Sequence, residues 1–264
     1  MPWPPDRNGT WVLDLDGVVW LAGEAIDGVP HALAALRRAG IATLFVTNNS
    51  SPTVAELVDR LQRAGIAAGP EDVVSSAQAV ATMVEKGSTV LALADEGVSE
   101  ALGPRDVTLV DEGPADVVVV GWTHRFDFDR LAAAATAVRG GARLIGTNED
   151  PTHPTPNGLM PGAGSLLVAV AAAAGVEPVV AGKPHRPMAG LVAGRRSDVR
   201  VVVGDRPSTD GVFADRLSVP FALVLSGVTE AGGPPPEPRP DVIAADLAEL
   251  VDRFLCSPDA IDER

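Results

Sequence analysis

The chain of 264 residues is long enough for one large α/β domain or two smaller ones. Hydrophobic residues make up 46% of it and aromatics only 4%, so the core must be built mainly from Ala, Val and Leu, which suits helices packed on a parallel sheet. A formal charge of −14 and a pI near 4.6 argue against a nucleic-acid or anionic-membrane surface, and an anionic substrate would need a local cation to reverse that field.

The first ten residues, MPWPPDRNGT, have neither the basic nor the apolar region of a signal peptide. Residues 10–14 read as a strand, and the stretch WVLDLDGVVW from Trp11 sets Asp14 and Asp16 into an otherwise apolar window. A second strand, 42–47, runs into TNNSS. A helix over 53–64 follows, with Val54, Leu57, Val58 and Leu61 on one stripe, Ser51-Pro52 supplying N-cap and N1 chemistry and Gly65 ending it. Strands are expected at 89–94 and 116–121, then a helix over 127–138 burying Phe128, Leu131, Ala132, Ala135 and Val138 and stopped by Gly140-Gly141. After a strand at 142–146, residues 165–174 form a helix apolar nearly all round. It reads as centrally buried and is about half the length that spans a bilayer. Strands at 179–181, 199–204, 221–225 and 242–244 complete the βα alternation of a parallel sheet, with GGPPPEPRP from Gly232 as an extended surface connection. The single cysteine, Cys256, excludes an intramolecular disulfide and a cysteine zinc cluster. The protein is expected to be soluble and cytoplasmic.

Four polar stretches each follow a strand: DLDG at Asp14, TNNSS at Thr47, GKP at Gly182 and GDRPSTD at Gly204. In an open α/β sheet, sites form at the carboxyl ends of strands, so the four would converge on one crevice. Taken singly, each has an ordinary reading: an Asx turn at Asp14 and Asp16, a turn and helix cap at Thr47 and Asn48, a solvated Lys183, and loop or N-cap roles for Asp205 and Asp210. A calcium loop is excluded, because Val18 and Trp20 stand where further ligands would be needed and no helix precedes. Taken together, the carboxylates supply a nucleophile, an acid/base and hard oxygen donors for Mg²⁺. Thr47 and the N–H groups after it offer an anion site, and Lys183 a fixed positive charge. That is the equipment of phosphoryl transfer, which depends on positioning and charge neutralisation.

DLDGV, TNNS, GKP and GDRPSTD, in that order, resemble the four motifs of the haloacid dehalogenase superfamily. VTNNSS, GTNEDPTHPTPNGLMPGAGSL and VVAGKP resemble its NagD-like, p-nitrophenylphosphatase branch. Thr47 and Lys183 lie 136 positions apart and Lys183 and Asp205 only 22, which places an inserted domain between the first pair. The resemblance implies a Rossmann-like core with a parallel sheet over 1–78 and 181–264, and an α/β C2 cap over 79–180. It also implies an aspartyl-phosphate mechanism: Asp14 as nucleophile and Asp16 as acid/base. Mg²⁺ would be held by Asp14, the carbonyl of Asp16 and Asp205, with Asp210 bracing that shell. Thr47, the Asn48 backbone and Lys183 would bind the phosphoryl group.

Asn148, Asp150, His153 and Asn157 are candidate leaving-group contacts in the cap, or residues that only shape its loop. A capped site favours small organic phosphate monoesters, glycerol phosphate or phosphoglycolate among them, with sugar phosphates, nucleoside monophosphates and pyridoxal phosphate as alternatives. The lack of aromatics over 148–159 weighs against a stacked base. A dehalogenase is disfavoured by the acid at Asp16, and a non-catalytic phosphate-binding module by the completeness of the motifs. No P-loop, G-x-S-x-G or H-E-x-x-H pattern competes. An exposed cap-strand edge makes a homodimer through the cap the expected assembly.

Overall fold

The computed structural model describes residues 3, 5, 8–21, 23–155 and 158–256. The chain begins with β1 (Thr10–Leu13), the short β2 (Trp20–Leu21) and β3 (Glu24–Ala25), α1 (Val29–Arg38), β4 (Ala42–Thr47), α2 (Val54–Arg63) and β5 (Val73–Ser75). It continues through α3 (Ser76–Ala81), β6 (Thr89–Leu93), α4 (Glu96–Leu102), β7 (Thr108–Val110), β8 (Val117–Val120), α5 (Phe128–Arg139) and β9 (Arg143–Gly146). The hairpin β10 (Thr152–Thr155) and β11 (Gly158–Pro161), α6 (Ala163–Ala174), β12 (Val179–Val180) and α7 (Arg186–Arg195) follow. The last elements are β13 (Val199–Gly204), α8 (Val212–Leu217), β14 (Phe221–Val224), β15 (Val242–Ala244) and α9 (Leu247–Cys256). Every strand expected from an apolar run forms, within a residue at either end.

The chain divides into two compact units, one of Met1–Val46, Val58–Val73 and Val192–Arg264, the other of Thr47–Leu57 and Val74–Leu191. The first is built on a sheet in the order β15-β14-β13-β1-β4-β5, in which β1 pairs parallel with β13 and β4, and β13 with β14. Trp11, Val12 and Leu13 are all buried, as a strand covered on both faces requires. Trp11 meets Phe254 of α9 edge-on at 4.9 Å. In this parallel arrangement the carboxyl ends of β1 and β13 are neighbours, and the ladder continues one step further as Asp14 N–H donates to Val203 O at 2.9 Å. Arg195 donates to the carbonyls of Pro70 and Val73, both at 3.0 Å. Its burial, with Arg196 beside it, lowers its pKa from the usual arginine value.

The second unit carries a five-stranded sheet, β12-β9-β8-β6-β7, parallel throughout. Leu91, Val118, Val120 and Leu144 of its strands pack against Ala134 of α5 and Leu167 and Val170 of α6. Two helical expectations need correction here. Phe128 is 81% exposed, as the first helical residue after the Asp127 N-cap, and Ala132 is exposed as well, because α5 meets its core through Ala134, Ala135, Ala137 and Val138 with Leu131 partly buried beside them. Helix α6 is not centrally buried either, since Val168 is 65% exposed and Ala172 and Ala173 face outward. Its alanines reflect helix propensity and lose little by meeting water. Among the described residues no helix is long and apolar enough to cross a membrane.

Helix α2 keeps its apolar stripe, with Leu57, Val58 and Leu61 buried. Its cap lies at Thr53, however, and not at Ser51. Thr53 Oγ1 accepts from Glu56 N–H at 3.1 Å while Glu56 Oε2 accepts from Thr53 N–H at 2.9 Å, a reciprocal T-x-x-E capping box that outcompetes a serine two residues earlier. Gly65 ends the helix at φ +77°, and Ile66 N–H returns to Leu61 O at 2.9 Å. Thr53→Ala should therefore lower the unfolding free energy by about 1 kcal/mol, read from the urea midpoint at unchanged slope.

Candidate active site

In the first unit, β1 delivers Asp14 at the point where the strand gives way to a tight turn. Leu15 N–H donates to Asp14 Oδ1 at 2.7 Å, and the N–H groups of Val19 and Trp20 both return to Leu15 O, at 2.9 and 3.1 Å. Gly17 occupies φ +86° in this turn, a conformation that side-chain-bearing residues rarely adopt. The turn brings Trp20 back over Asp16, so that its indole Nε1–H donates to Asp16 Oδ1 at 3.0 Å. Trp20 is 1% exposed, and the Arg60 guanidinium lies 5.3 Å from its ring centroid.

Asp205 follows the last residue of β13 and is buried, as is Asp210 in the single wide helical turn Pro207–Gly211. Asp205 Oδ2 accepts from Val228 N–H at 2.6 Å, and its carbonyl accepts from Thr229 Oγ1 at 2.5 Å. Asp210 Oδ2 accepts from Arg206 N–H at 3.2 Å. Glycines make the room. A Cβ on Gly17 would sit 2.5 Å from Asp205 Oδ2, a Cβ on Gly227 would collide with the same oxygen, and one on Gly204 would collide with Asp210.

Asp14, Asp205 and Asp210 each present a carboxylate oxygen within 4.8 Å of the others. Three like charges at that spacing repel unless a cation or protons intervene. The donor set is all hard oxygen, without histidine or cysteine, which fits Mg²⁺. Asp16 is not in this triplet. Its side chain instead accepts from the Trp20 indole.

In the second unit, Thr47 ends β4 and is 1% exposed. Its Oγ1 accepts from Asn49 N–H at 3.0 Å, and Asn49 Oδ1 accepts from Ser51 N–H at 3.0 Å, so the TNNSS turn is wound on its own side chains. Asn48 bonds to Lys183, to Asp150 and, through its carbonyl, to Asn148. Lys183 is 2% exposed and therefore not the solvated lysine that its sequence position suggests by default. His153 lies on β10, opposite Met160, with its ring 5.0 Å from that of Trp122, which also meets His124 at 4.5 Å and donates its Nε1–H to Pro161 O at 3.1 Å. Asn157 lies outside the described residues.

Several contributors escape the sequence reading. Trp20 had a usable signal, since a buried indole needs an acceptor and Asp16 is four residues before it. Gly227, Ser76 and Trp122 had none, because each acts through a contact with a distant segment. Trp122 nevertheless supplies an aromatic surface next to His153 that the composition of 148–159 lacks.

The chain as a whole is similar to known proteins. A family model described as haloacid dehalogenase-like hydrolase matches residues 11–108, and a second, HAD-hydrolase-like, matches 180–250. The D-glycerol 3-phosphate phosphatase of Mycobacterium tuberculosis is 38% identical over 251 residues, covering 90% of this chain and 70% of that protein. A crystal structure of glycerol phosphate phosphatase from the same organism, in complex with magnesium, superposes with a TM-score of 0.85 at 35% identity, covering 92% of this chain and 76% of that one. A double-mutant thermostable NPPase from Geobacillus stearothermophilus reaches 0.84 at 31% identity, covering 92% and 98%. The chain belongs to the haloacid dehalogenase-like hydrolases, among their NagD-like phosphatases.

Proposed function

We propose that the protein is a Mg²⁺-dependent phosphatase of small organic phosphate monoesters, with glycerol phosphate and phosphoglycolate as the first substrates to try. The observation that carries this reading is the triplet of Asp14 and Asp205, at the carboxyl ends of adjacent parallel strands, with Asp210 from the turn that follows. The relative that acts on D-glycerol 3-phosphate supports the substrate class. An Asp14 oxygen attacks phosphorus, the ester P–O bond breaks, and the leaving alkoxide takes a proton from Asp16. Asp16 then removes a proton from water, which attacks the aspartyl-phosphate, freeing inorganic phosphate and regenerating both carboxyl groups. Trp20 keeps Asp16 oriented for both transfers.

Mg²⁺ would be held by Asp14, the Asp16 carbonyl and Asp205, with Asp210 bracing them, and when bound it would offset the charge of the phosphoryl oxygens. Thr47, the Asn48 backbone and Lys183 serve those oxygens. Residues 1–78 and 181–264 form the catalytic core on this reading, and 79–180 the cap. The five-stranded sheet supports it by lying wholly between Thr89 and Val180, although the compact unit that carries this sheet also takes in Thr47–Leu57 and runs on to Leu191. Of the cap candidates for the leaving group, His153 and Asn157 keep that assignment, while the bonds of Asn148 and Asp150 to Asn48 favour the loop-shaping alternative. The half-exposed Val179 on the edge strand β12 supports a homodimer through the cap, and the lone Cys256 suits a cytoplasmic enzyme.

With p-nitrophenyl phosphate, Asp14→Asn should lose turnover by about 10³-fold or more. Chelation of the metal should abolish activity and added Mg²⁺ restore it. Phosphate release by either treated sample at the untreated rate would sink the mechanism. Gly227→Ala should push the Asp205 carboxylate out of place and raise the Mg²⁺ concentration for half-maximal rate by about 10-fold or more, measured by Mg²⁺ titration of initial rates. Light scattering after size exclusion should give twice the 27.1 kDa chain mass, and a monomer would remove the dimer.

A further inference from the structure

Asn48 joins segments 135 positions apart. Lys183 N–H donates to Asn48 Oδ1 at 2.7 Å, and Asn48 Nδ2 donates back to Lys183 O at 3.1 Å. Immediately before this point the chain pairs as a strand, with Ala181 N–H on Gly146 O at 3.0 Å and Gly182 N–H on Thr147 O at 2.8 Å. The carboxamide takes over where that ladder stops, matching the donor and acceptor of the Lys183 backbone as a neighbouring peptide group would.

Other contacts hold the amide itself. Nδ2 also donates to Asp150 Oδ2 at 3.1 Å, and an ionised carboxylate can only accept, so the amide faces one way. The Asn48 carbonyl accepts from Ser76 Oγ at 2.6 Å and from Asn148 Nδ2 at 2.7 Å, and Asn148 Oδ1 in turn accepts from Asp150 N–H at 3.0 Å. Ser76 is fully buried and Asn148 is 5% exposed. At Gly182 a Cβ would lie 2.6 Å from Asn48 Oδ1 and 2.5 Å from Thr147 O, so the close approach of the amide requires glycine there.

We infer that the Asn48 side chain is a positioning residue for Lys183, and that Asn148 and Asp150 act on the reaction by holding Asn48. The inference rests on the reading of Lys183 as a phosphoryl ligand, and goes beyond it. A lysine has four rotatable side-chain bonds, so where its ammonium sits depends on how firmly its backbone is fixed. The same residue, through its own backbone, is assigned to the phosphoryl oxygens, so one asparagine sets the spacing between the phosphate loop and the cation. An error of about 1 Å in such a spacing costs about 10²-fold in rate.

The test is a double-mutant cycle of Asn48→Ala and Lys183→Met, reading kcat/KM for p-nitrophenyl phosphate with Mg²⁺, the inhibition constant of inorganic phosphate, and melting temperatures. Asn48→Ala alone should lower kcat/KM by about 10²-fold and weaken phosphate inhibition, whereas in the Lys183→Met background it should cost less than about 3-fold. Equal losses in both backgrounds, or wild-type rate and phosphate inhibition in Asn48→Ala, overturn the inference and leave the phosphatase reading standing. If Lys183→Met itself keeps wild-type rate and phosphate inhibition, the role of Lys183 fails and the inference with it. Should Asn48→Ala not fold, Asn148→Ala replaces it in the cycle. That variant loosens the base of the amide and should cost about 10-fold, again only when Lys183 is present.

Discussion

The structure depends on keeping three carboxylates close together. Two unit charges 4.8 Å apart repel by about 3.5 kcal/mol at an effective dielectric near 20, and Asp205 and Asp210 are buried, so folding must oppose that repulsion before any ligand arrives. Backbone N–H groups do part of it. Leu15, Val228 and Arg206 each donate to one of the three, and each donor belongs to a turn whose shape is set by other contacts. The parallel pairing of β1 with β13 brings Asp14 and Asp205 to neighbouring strand ends, and the wide turn at Pro207–Gly211 returns Asp210 to the same place. What the N–H groups leave unbalanced is a demand for a cation, which makes metal affinity a property of the fold.

The second unit solves a different problem by different means. Around Asn48 the charged groups are few and the connections are amide to peptide, hydroxyl to carbonyl and amide to carboxylate. Such bonds are individually worth about 1 kcal/mol, but leaving a buried member unpaired costs more, so the set tends to be kept or lost together. The side chains here are fixed by pairing alone, whereas the carboxylates still call for a cation.

How far this was legible in the sequence depends on the range of each interaction. Asp14 and Asp16 stand out because acids interrupt an apolar strand, and the long strands stand out because valine and leucine runs persist for several residues. The strands β2, β3, β5, β7, β10 and β11 left no such trace: they have two to four residues each, and β10 contains Pro154. Local rules also misplaced the cap of α2, where Ser51-Pro52 looked adequate but Thr53 and Glu56 complete a reciprocal pair. Composition misled at α6, since alanine favours a helix whether or not it is buried. The glycine seat of Asp205 and the Lys183 clamp were beyond reach, because hydrogen bonds and close approaches between segments 22 or 135 positions apart impose no periodicity on either segment.

The chain's charge bears on how an anionic substrate is selected. At −14 overall, the long-range field opposes a phosphate dianion, although salt screens that opposition within about 8 Å at physiological ionic strength. Attraction must therefore come from groups in contact with the substrate, and a buried lysine serves better than a surface one because its field is not shared with water. A short-range field is also steep, so displacement matters more than it would for a diffuse basic patch. On the proposed reading of Lys183 as a phosphoryl ligand, an acidic protein has reason to fix that buried lysine's backbone with a matched amide, and a basic protein would have less.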